Sequence, residues 1–196
     1  ITHYYDSFSL LSGSLMANKI NYPDLTNPFF LDFSSHPSLV SFLVSILIKA
    51  EFSIRITNQI LMFFSTFCFF LGVYFISKAL TNSLTLSFLI SFTTVILSKN
   101  FGSIDYPTLM FSEHSYGQIG LSLASLAAGL LFTKKYQQGF IVSILLVGFH
   151  LSLGLWMVAI IFISYLIFKE KLILLKNFII KVLFSVIIIS SFIFFN

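Results

Sequence analysis

The chain has 196 residues, of which 57% are hydrophobic and only 9% are charged, and its formal net charge is +4. Soluble domains carry about 25% charged residues, so this composition excludes an ordinary soluble domain and predicts an integral membrane protein. The basic residues stand singly or at the ends of apolar runs, as orientation signals do, and this pattern argues against nucleic-acid binding. The sequence starts without Met and stops directly after an apolar run. We therefore expect a fragment, with further membrane helices before Ile1 and after Asn196.

Residues up to Pro37 are the least hydrophobic part of the chain, and residues 1–55 are predicted to form an extracytoplasmic loop with juxtamembrane helices. Residues 4–18 are apolar on one helical face and mostly serine on the other, which is typical of an amphipathic helix lying on a membrane surface. Residues 19–37 are rich in proline and polar residues, which favour a loop. Residues 38–50 would form about 20 Å of helix, too short for a bilayer core of about 30 Å, so we predict a second juxtamembrane helix there.

The remainder, residues 56–196, predicts an all-α, polytopic transmembrane helical bundle that is incomplete at both ends. The expected crossings lie near residues 56–77, 84–98, 118–133, 139–151, 153–168 and 177–195. The apolar run 139–168 lies between two lysine clusters that the positive-inside rule assigns to the cytoplasm, and one helix of about 45 Å would put one cluster outside. This run is therefore predicted to be a hairpin that breaks between His150 and Gly154.

This topology puts two polar loops on the extracytoplasmic side. They contribute His3, Asp6 and His36 from the first loop, and Asp105, Glu113 and His114 from the second. A carboxylate at a membrane surface can act as general base for an acceptor hydroxyl, or can hold a divalent cation beside a phosphate leaving group. The two loops could build one site between them. The alternative is that these are ordinary solvated loop residues.

A series of residues in the first loop carries a resemblance to a known superfamily. The series is Tyr5-Asp6, Gly13, Tyr22-Pro23-Asp24, Asn27-Pro28-Phe29, His36-Pro37-Ser38-Leu39, Ser53 and Arg55. It resembles the first outer loop of membrane glycosyltransferases of the GT-C superfamily, in which an acidic residue is followed by two juxtamembrane helices. Residues 149–156, Phe-His-Leu-Ser-Leu-Gly-Leu-Trp, resemble a short helical pair of the same superfamily. Asp6 stands here where the superfamily has an acidic pair.

The resemblance implies an integral membrane glycosyltransferase whose donor is a polyprenyl-phosphate-linked sugar that enters from the lipid. Asp6 would be the catalytic general base that deprotonates or orients the acceptor. Asp105 or Glu113 would bind the phosphate of the donor or a metal. If the reaction uses a divalent metal, Mg²⁺ or Mn²⁺, the implied ligands are Asp6, Asp105 and Glu113.

Four further residues are substrate-binding candidates: Arg55, His36, His114 and His150. The resemblance makes Arg55 and His114 contacts to the donor phosphate. His150 lies at the predicted hairpin break, and an ionisable residue in a membrane segment is a functional candidate by default. The alternative for His150 is a neutral imidazole bonded to a helix carbonyl.

Two other function classes remain open, and the sequence leaves open whether the protein is an enzyme. A transporter or flippase for a lipid-linked precursor predicts charged residues within the spans and inverted repeats, whereas the spans here are nearly charge-free. A non-catalytic protein of envelope polysaccharide assembly would use the outer loops for binding. Convergence of Asp6 and the 105–114 loop around a cavity open to lipid would favour the transferase. For all three classes we expect a multi-pass protein of a bacterial inner or plasma membrane, with no nucleic-acid partner.

Overall fold

A computed structural model describes residues 7–19, 26, 38–97 and 116–167 of the chain. This part is all-helical, as the sequence predicts. Its helices are α1 (Ser7–Met16), α2 (Leu39–Lys49), α3 (Ile54–Thr81), α4 (Leu84–Leu97), α5 (Tyr116–Phe132), α6 (Tyr136–Phe149) and α7 (Leu151–Ile167). The crossing predicted at 177–195 and most of the loop predicted at 99–117 lie outside the described residues.

Helix α3 is longer than the segment 56–77 predicted from hydropathy, because both of its ends are capped by polar residues. The Oγ atom of Ser53 accepts a hydrogen bond of 3.3 Å from the backbone N–H of Ile56. At the other end, Asn82 adopts a left-handed conformation with φ 53° and donates its N–H to the carbonyl of Lys78. Lys78 lies in the last turn, where a positive charge interacts favourably with the helix dipole. Of the described helices, α3 alone is long and apolar enough to cross a membrane, by length and composition.

The turn between α5 and α6 is shorter than predicted. Gln137 and Gln138, expected in a loop, lie in the first turn of α6. Lys134 adopts a left-handed conformation with φ 61°, and the N–H groups of Lys134 and Lys135 bond the carbonyls of Leu131 and Leu130. This compact closure ends α5 and lets the next helix begin at once.

Helix α3 is the centre of the described bundle. It packs most extensively on α5, and α4 covers another side of it, while α6 packs on both α5 and α7. The α3–α5 interface is built on two glycines. A Cβ atom added at Gly72 would lie 2.5 Å from the carbonyl carbon of Ser125, and one at Gly129 would lie 2.5 Å from the carbonyl oxygen of Gly72. The two backbones therefore approach more closely than any larger residue would allow.

Helices α1 and α2 form a pair whose packing corrects one expectation. The serine face of α1 was expected to lie away from the apolar face and in water, yet Ser12 and Ser14 are buried and Met16 is 40% exposed. Gly13 lies against α2, so closely that an added Cβ would overlap the side chain of Val44. The small residues of α1 allow this approach. The buried hydroxyl of Ser14 donates a hydrogen bond of 2.7 Å to the carbonyl of Leu10 in its own helix, so it needs no partner from α2.

The bundle is polar inside and apolar outside in many places. Large side chains such as Phe63 (73% exposed), Leu80 (71%) and Trp156 (69%) face outwards. Fully buried hydroxyl groups donate within their own helices, as Ser91 does to Ser87 at 2.7 Å. Water strongly disfavours such a distribution, whereas hydrocarbon does not.

Candidate functional site

Four helix ends meet at one end of the bundle, which we call the His150 end. It comprises the starts of α3, α5 and α7 and the end of α6. A Cβ atom added at Gly120, in the second turn of α5, would lie 2.7 Å from the imidazole Cδ2 of His150. The rings of Phe64 on α3 and Phe149 on α6 stack with their centroids 6.2 Å apart. Helices α3, α5 and α7 therefore begin on the same side of the molecule, and α3 extends about three turns beyond the contact at Phe64.

His150 separates α6 from α7, within the interval predicted for the hairpin break. Its backbone is extended, with φ −152° and ψ 95°, and its N–H donates to the carbonyl of Leu146 at 2.7 Å. Its Nδ1 atom accepts a long hydrogen bond of 3.4 Å from the N–H of Leu153. Nδ1 therefore caps the amide end of α7, and the alternative role of the ring, a bond to a helix carbonyl, stays a prediction. Nδ1 can accept only when it carries no proton, so this bond requires the proton of a neutral ring on Nε2.

Arg55 lies in the first turn of α3 and its side chain is exposed. It forms no ion pair with another described residue. A positive charge at a helix N-terminus opposes the helix dipole, so the position is not explained by stability of α3. The guanidinium and the N-terminal amides together make this end of α3 attractive to an anion.

Two residues that the sequence analysis did not select lie one turn further along α3. Thr57 is fully buried, and neither its Oγ1 atom nor the Oδ1 atom of Asn58 bonds a partner among the described residues. The Nδ2 atom of Asn58 lies 3.9 Å from the sulfur of Met62. Buried polar atoms without partners are costly and uncommon in native proteins. The sequence signal was the polar triplet Thr-Asn-Gln at 57–59, at the start of an otherwise apolar segment.

Helix α2 lies across the His150 end. At its start, Leu39 packs so closely on Gly148 of α6 that an added Cβ there would overlap its side chain. At its other end α2 stops at Lys49, and α3 begins at Ile54. Both ends of α2 therefore adjoin the same end of the bundle, and α2 contacts α3 and α6 there.

The other predicted site residues lie outside the described part of the chain: Asp6, His36, Asp105, Glu113 and His114. Their convergence with Arg55 and His150 stays a prediction. Within the described ranges, no group of three His, Cys, Asp or Glu residues is arranged to hold a metal ion. The three predicted metal ligands are among the residues outside, so no step of a reaction is assigned to a metal here.

Comparison of the chain with models of protein families, with curated proteins and with solved structures finds no match. The chain is therefore not assigned to a family, and the GT-C resemblance stays an expectation from the sequence motifs.

Proposed function

We propose that this chain is part of a multi-pass membrane glycosyltransferase of GT-C type, which transfers a sugar from a polyprenyl-phosphate donor to an acceptor on the extracytoplasmic face. The observation that carries the proposal is the position of α2 across the His150 end. The resemblance implies two juxtamembrane helices ahead of the first long crossing of the described part. The order α1, α2, α3 has this form, with α2 joined to α3 by a short connection.

The surface of the bundle supports a multi-pass arrangement, although α4 to α7 are shorter than the roughly 20 residues that usually span a bilayer. Each of these helices exposes large apolar side chains, among them Phe92 on α4 (51%), Leu145 on α6 (42%) and Phe162 on α7 (58%). Lipid is the solvent that suits such faces. A helix shorter than the bilayer core can still cross where the bilayer thins locally or where long flanking side chains extend to the interface.

The distribution of lysines supports the orientation. Lys78, Lys134 and Lys135 gather at the end of the bundle opposite the His150 end, and the Nζ atom of Lys135 lies 4.6 Å from the ring centre of Phe75. Lys19, Lys49 and Arg55 lie towards the His150 end and balance these three charges. The lysines at 169, 171, 176 and 181, which follow α7 in the sequence, tip the positive-inside rule towards a cytoplasmic lysine-bearing end. The His150 end would then face outwards, where a lipid-linked donor and its acceptor would meet.

In the proposed reaction, Asp6 takes the proton of the acceptor hydroxyl as its oxygen attacks C1 of the sugar. The bond between C1 and the phosphate oxygen breaks, and polyprenyl phosphate leaves with the electron pair. Arg55 and the N-terminal amides of α3 would stabilise the charge that develops on the phosphate.

The test is sugar transfer by the whole protein in membranes that are supplied with polyprenyl-phosphate sugars. We expect Asp6→Asn to insert normally but to lose at least about a hundredfold in transfer rate. A general base typically accelerates a reaction by a factor on the order of 10²–10⁴. Asp32→Asn is the matched control, since it removes another carboxylate from the same predicted loop outside the resembling motifs, and it should keep activity. If Asp6→Asn equals wild type, or if wild type transfers no sugar from any donor, transport or binding becomes the better account.

A further inference from the structure

A recess of about 390 Å³ lies where the ends of α1 and α2 meet the start of α3. Its polar lining includes Lys19, Glu51 and Ser53, and its apolar lining includes Ile48, Phe52 and Ile54. Neither the ammonium group of Lys19 nor the carboxylate of Glu51 pairs with another described residue. Among the residues that the structure describes, the recess therefore combines an apolar surface with two charges of opposite sign that have no partner.

The conformation of Glu51 is unfavourable for folding in two ways. Its φ is 67°, a left-handed conformation that glycine adopts without strain and a glutamate does not. Its carboxylate also follows the C-terminus of α2, where the helix dipole disfavours a negative charge. The left-handed backbone itself ends α2, since the N–H groups of Glu51 and Phe52 bond the carbonyls of Ile48 and Leu47. The carboxylate has no such structural role among the described residues, which leaves it available for binding.

The apolar rim indicates where the recess lies relative to a bilayer. Phe52 is 43% exposed and Ile54 is 40% exposed, at the point where α3, the helix long enough to span, begins. A recess at the start of a spanning helix lies at the boundary between hydrocarbon and water. Head groups of phospholipids occupy this level of the membrane.

We propose that this recess binds the head group of a zwitterionic phospholipid that carries a primary amine. The carboxylate of Glu51 accepts hydrogen bonds from the lipid ammonium, and the ammonium of Lys19 donates to the lipid phosphate. Ile48, Phe52 and Ile54 contact the glycerol and the start of the acyl chains. A head group with one charge of each sign matches the recess, whereas an anionic head group would bring a negative charge to Glu51 without a cation. The proposal uses the membrane position of α3 and is independent of sugar transfer.

The test measures lipid binding to the purified whole protein in detergent by native mass spectrometry. Three lipids with identical acyl chains are titrated: phosphatidylethanolamine, phosphatidylcholine and phosphatidylglycerol. We expect phosphatidylethanolamine to bind about tenfold more tightly than phosphatidylcholine, which has the same charges but no N–H donor. Glu51→Gln should remove this preference. Lys19→Met should weaken the binding of phosphatidylethanolamine and of phosphatidylcholine to the same extent. Lys49→Met removes an exposed charge outside the recess lining and should leave the binding of both lipids unchanged.

Glu51→Gly keeps the test decisive if another variant folds poorly, because glycine relieves the left-handed backbone. It should fold at least as well as wild type and still lose the preference. The proposal is overturned if the three lipids bind equally, or if Glu51→Gln and Glu51→Gly retain the preference. Equal binding of phosphatidylglycerol and phosphatidylethanolamine would mean a simple phosphate site and would also overturn it. Loss of lipid preference with unchanged sugar transfer would separate this site from the proposed active site.

Discussion

The Oγ atoms of Ser65 and Ser122 lie 2.9 Å apart and join α3 to α5 inside the bundle. Ser122 also donates to the carbonyl of Gln118 at 2.8 Å, so Ser65 supplies the proton of the bond between the helices. Both side chains are buried. We expect Ser65→Ala to lower the free energy of unfolding by about 0.5–1.5 kcal/mol, the range of interhelical hydrogen bonds in membrane proteins. Unfolding in mixed micelles of increasing SDS content measures the difference.

Ser152→Ala is the matched control for this bond. Ser152 lies in the first turn of α7 and is exposed, so its loss should change the free energy of unfolding by less than about 0.5 kcal/mol. Equal effects of Ser65→Ala and Ser152→Ala would contradict a contribution from the Ser65–Ser122 bond.

Replacement of Gly72 by alanine should weaken the α3–α5 interface strongly. The new Cβ would lie 2.5 Å from the carbonyl carbon of Ser125 and 2.6 Å from the nitrogen of Leu126, and backbone atoms cannot rotate away. We expect the free energy of unfolding to fall by more than about 2 kcal/mol, because α3 and α5 must move apart to make room for the new Cβ atom. The same SDS titration measures it.

Gly139→Ala provides the comparison for Gly72→Ala. A Cβ atom at Gly139 would lie 3.0 Å from Cδ2 and Cγ of Leu131 and 3.2 Å from the carbonyl oxygen of Ala127, which is a looser approach than the one at Gly72. Rotation of Leu131 and the better helix propensity of alanine should keep the loss of stability below about 1 kcal/mol. A loss at Gly139 as large as that at Gly72 would argue against backbone contact as the cause.

Glu51→Gly should stabilise the protein by about 1 kcal/mol, because it relieves a left-handed glutamate at the end of α2. Lys134→Gly relieves a similar conformation, with φ 61°. It also removes a positive charge that interacts favourably with the end of α5, so its gain should be smaller. A loss of stability in Glu51→Gly would show that the carboxylate makes a stabilising contact in the whole protein.

His150 can be tested for two separate roles, because asparagine can replace its capping function. The side-chain oxygen of asparagine is a favoured N-cap acceptor for the amides of α7. We expect His150→Ala to lose about 1 kcal/mol of stability and His150→Asn to lose little. Sugar transfer by the two variants then separates the roles. Full activity in His150→Asn would assign His150 to the capping of α7, whereas loss of activity at unchanged stability would support contact with substrate.

Local sequence determined which stretches are helical and where the chain breaks at His150. Apolar runs indicated the all-α class and the short length of α2, and the lysine clusters indicated the hairpin of α6 and α7. These are properties of neighbouring residues, since apolar periodicity, capping side chains and lysine clusters act over a few turns. The boundaries that sequence missed, at Thr81 and Tyr136, depend on the left-handed residues Asn82 and Lys134, whose conformation hydropathy does not report.

Only the tertiary structure decided which residues meet. The burial of Ser12 and Ser14, the contact of Gly72 with Gly129, and the passage of α2 across the His150 end all join segments that are distant in sequence. Part of the candidate site was predictable: Arg55 and His150, chosen for their chemistry, lie at the same end of the bundle. Thr57, Asn58 and the recess between Lys19 and Glu51 were not predicted. Their significance comes from burial and from the lack of partners within the described ranges, and both depend on how closely other helices approach.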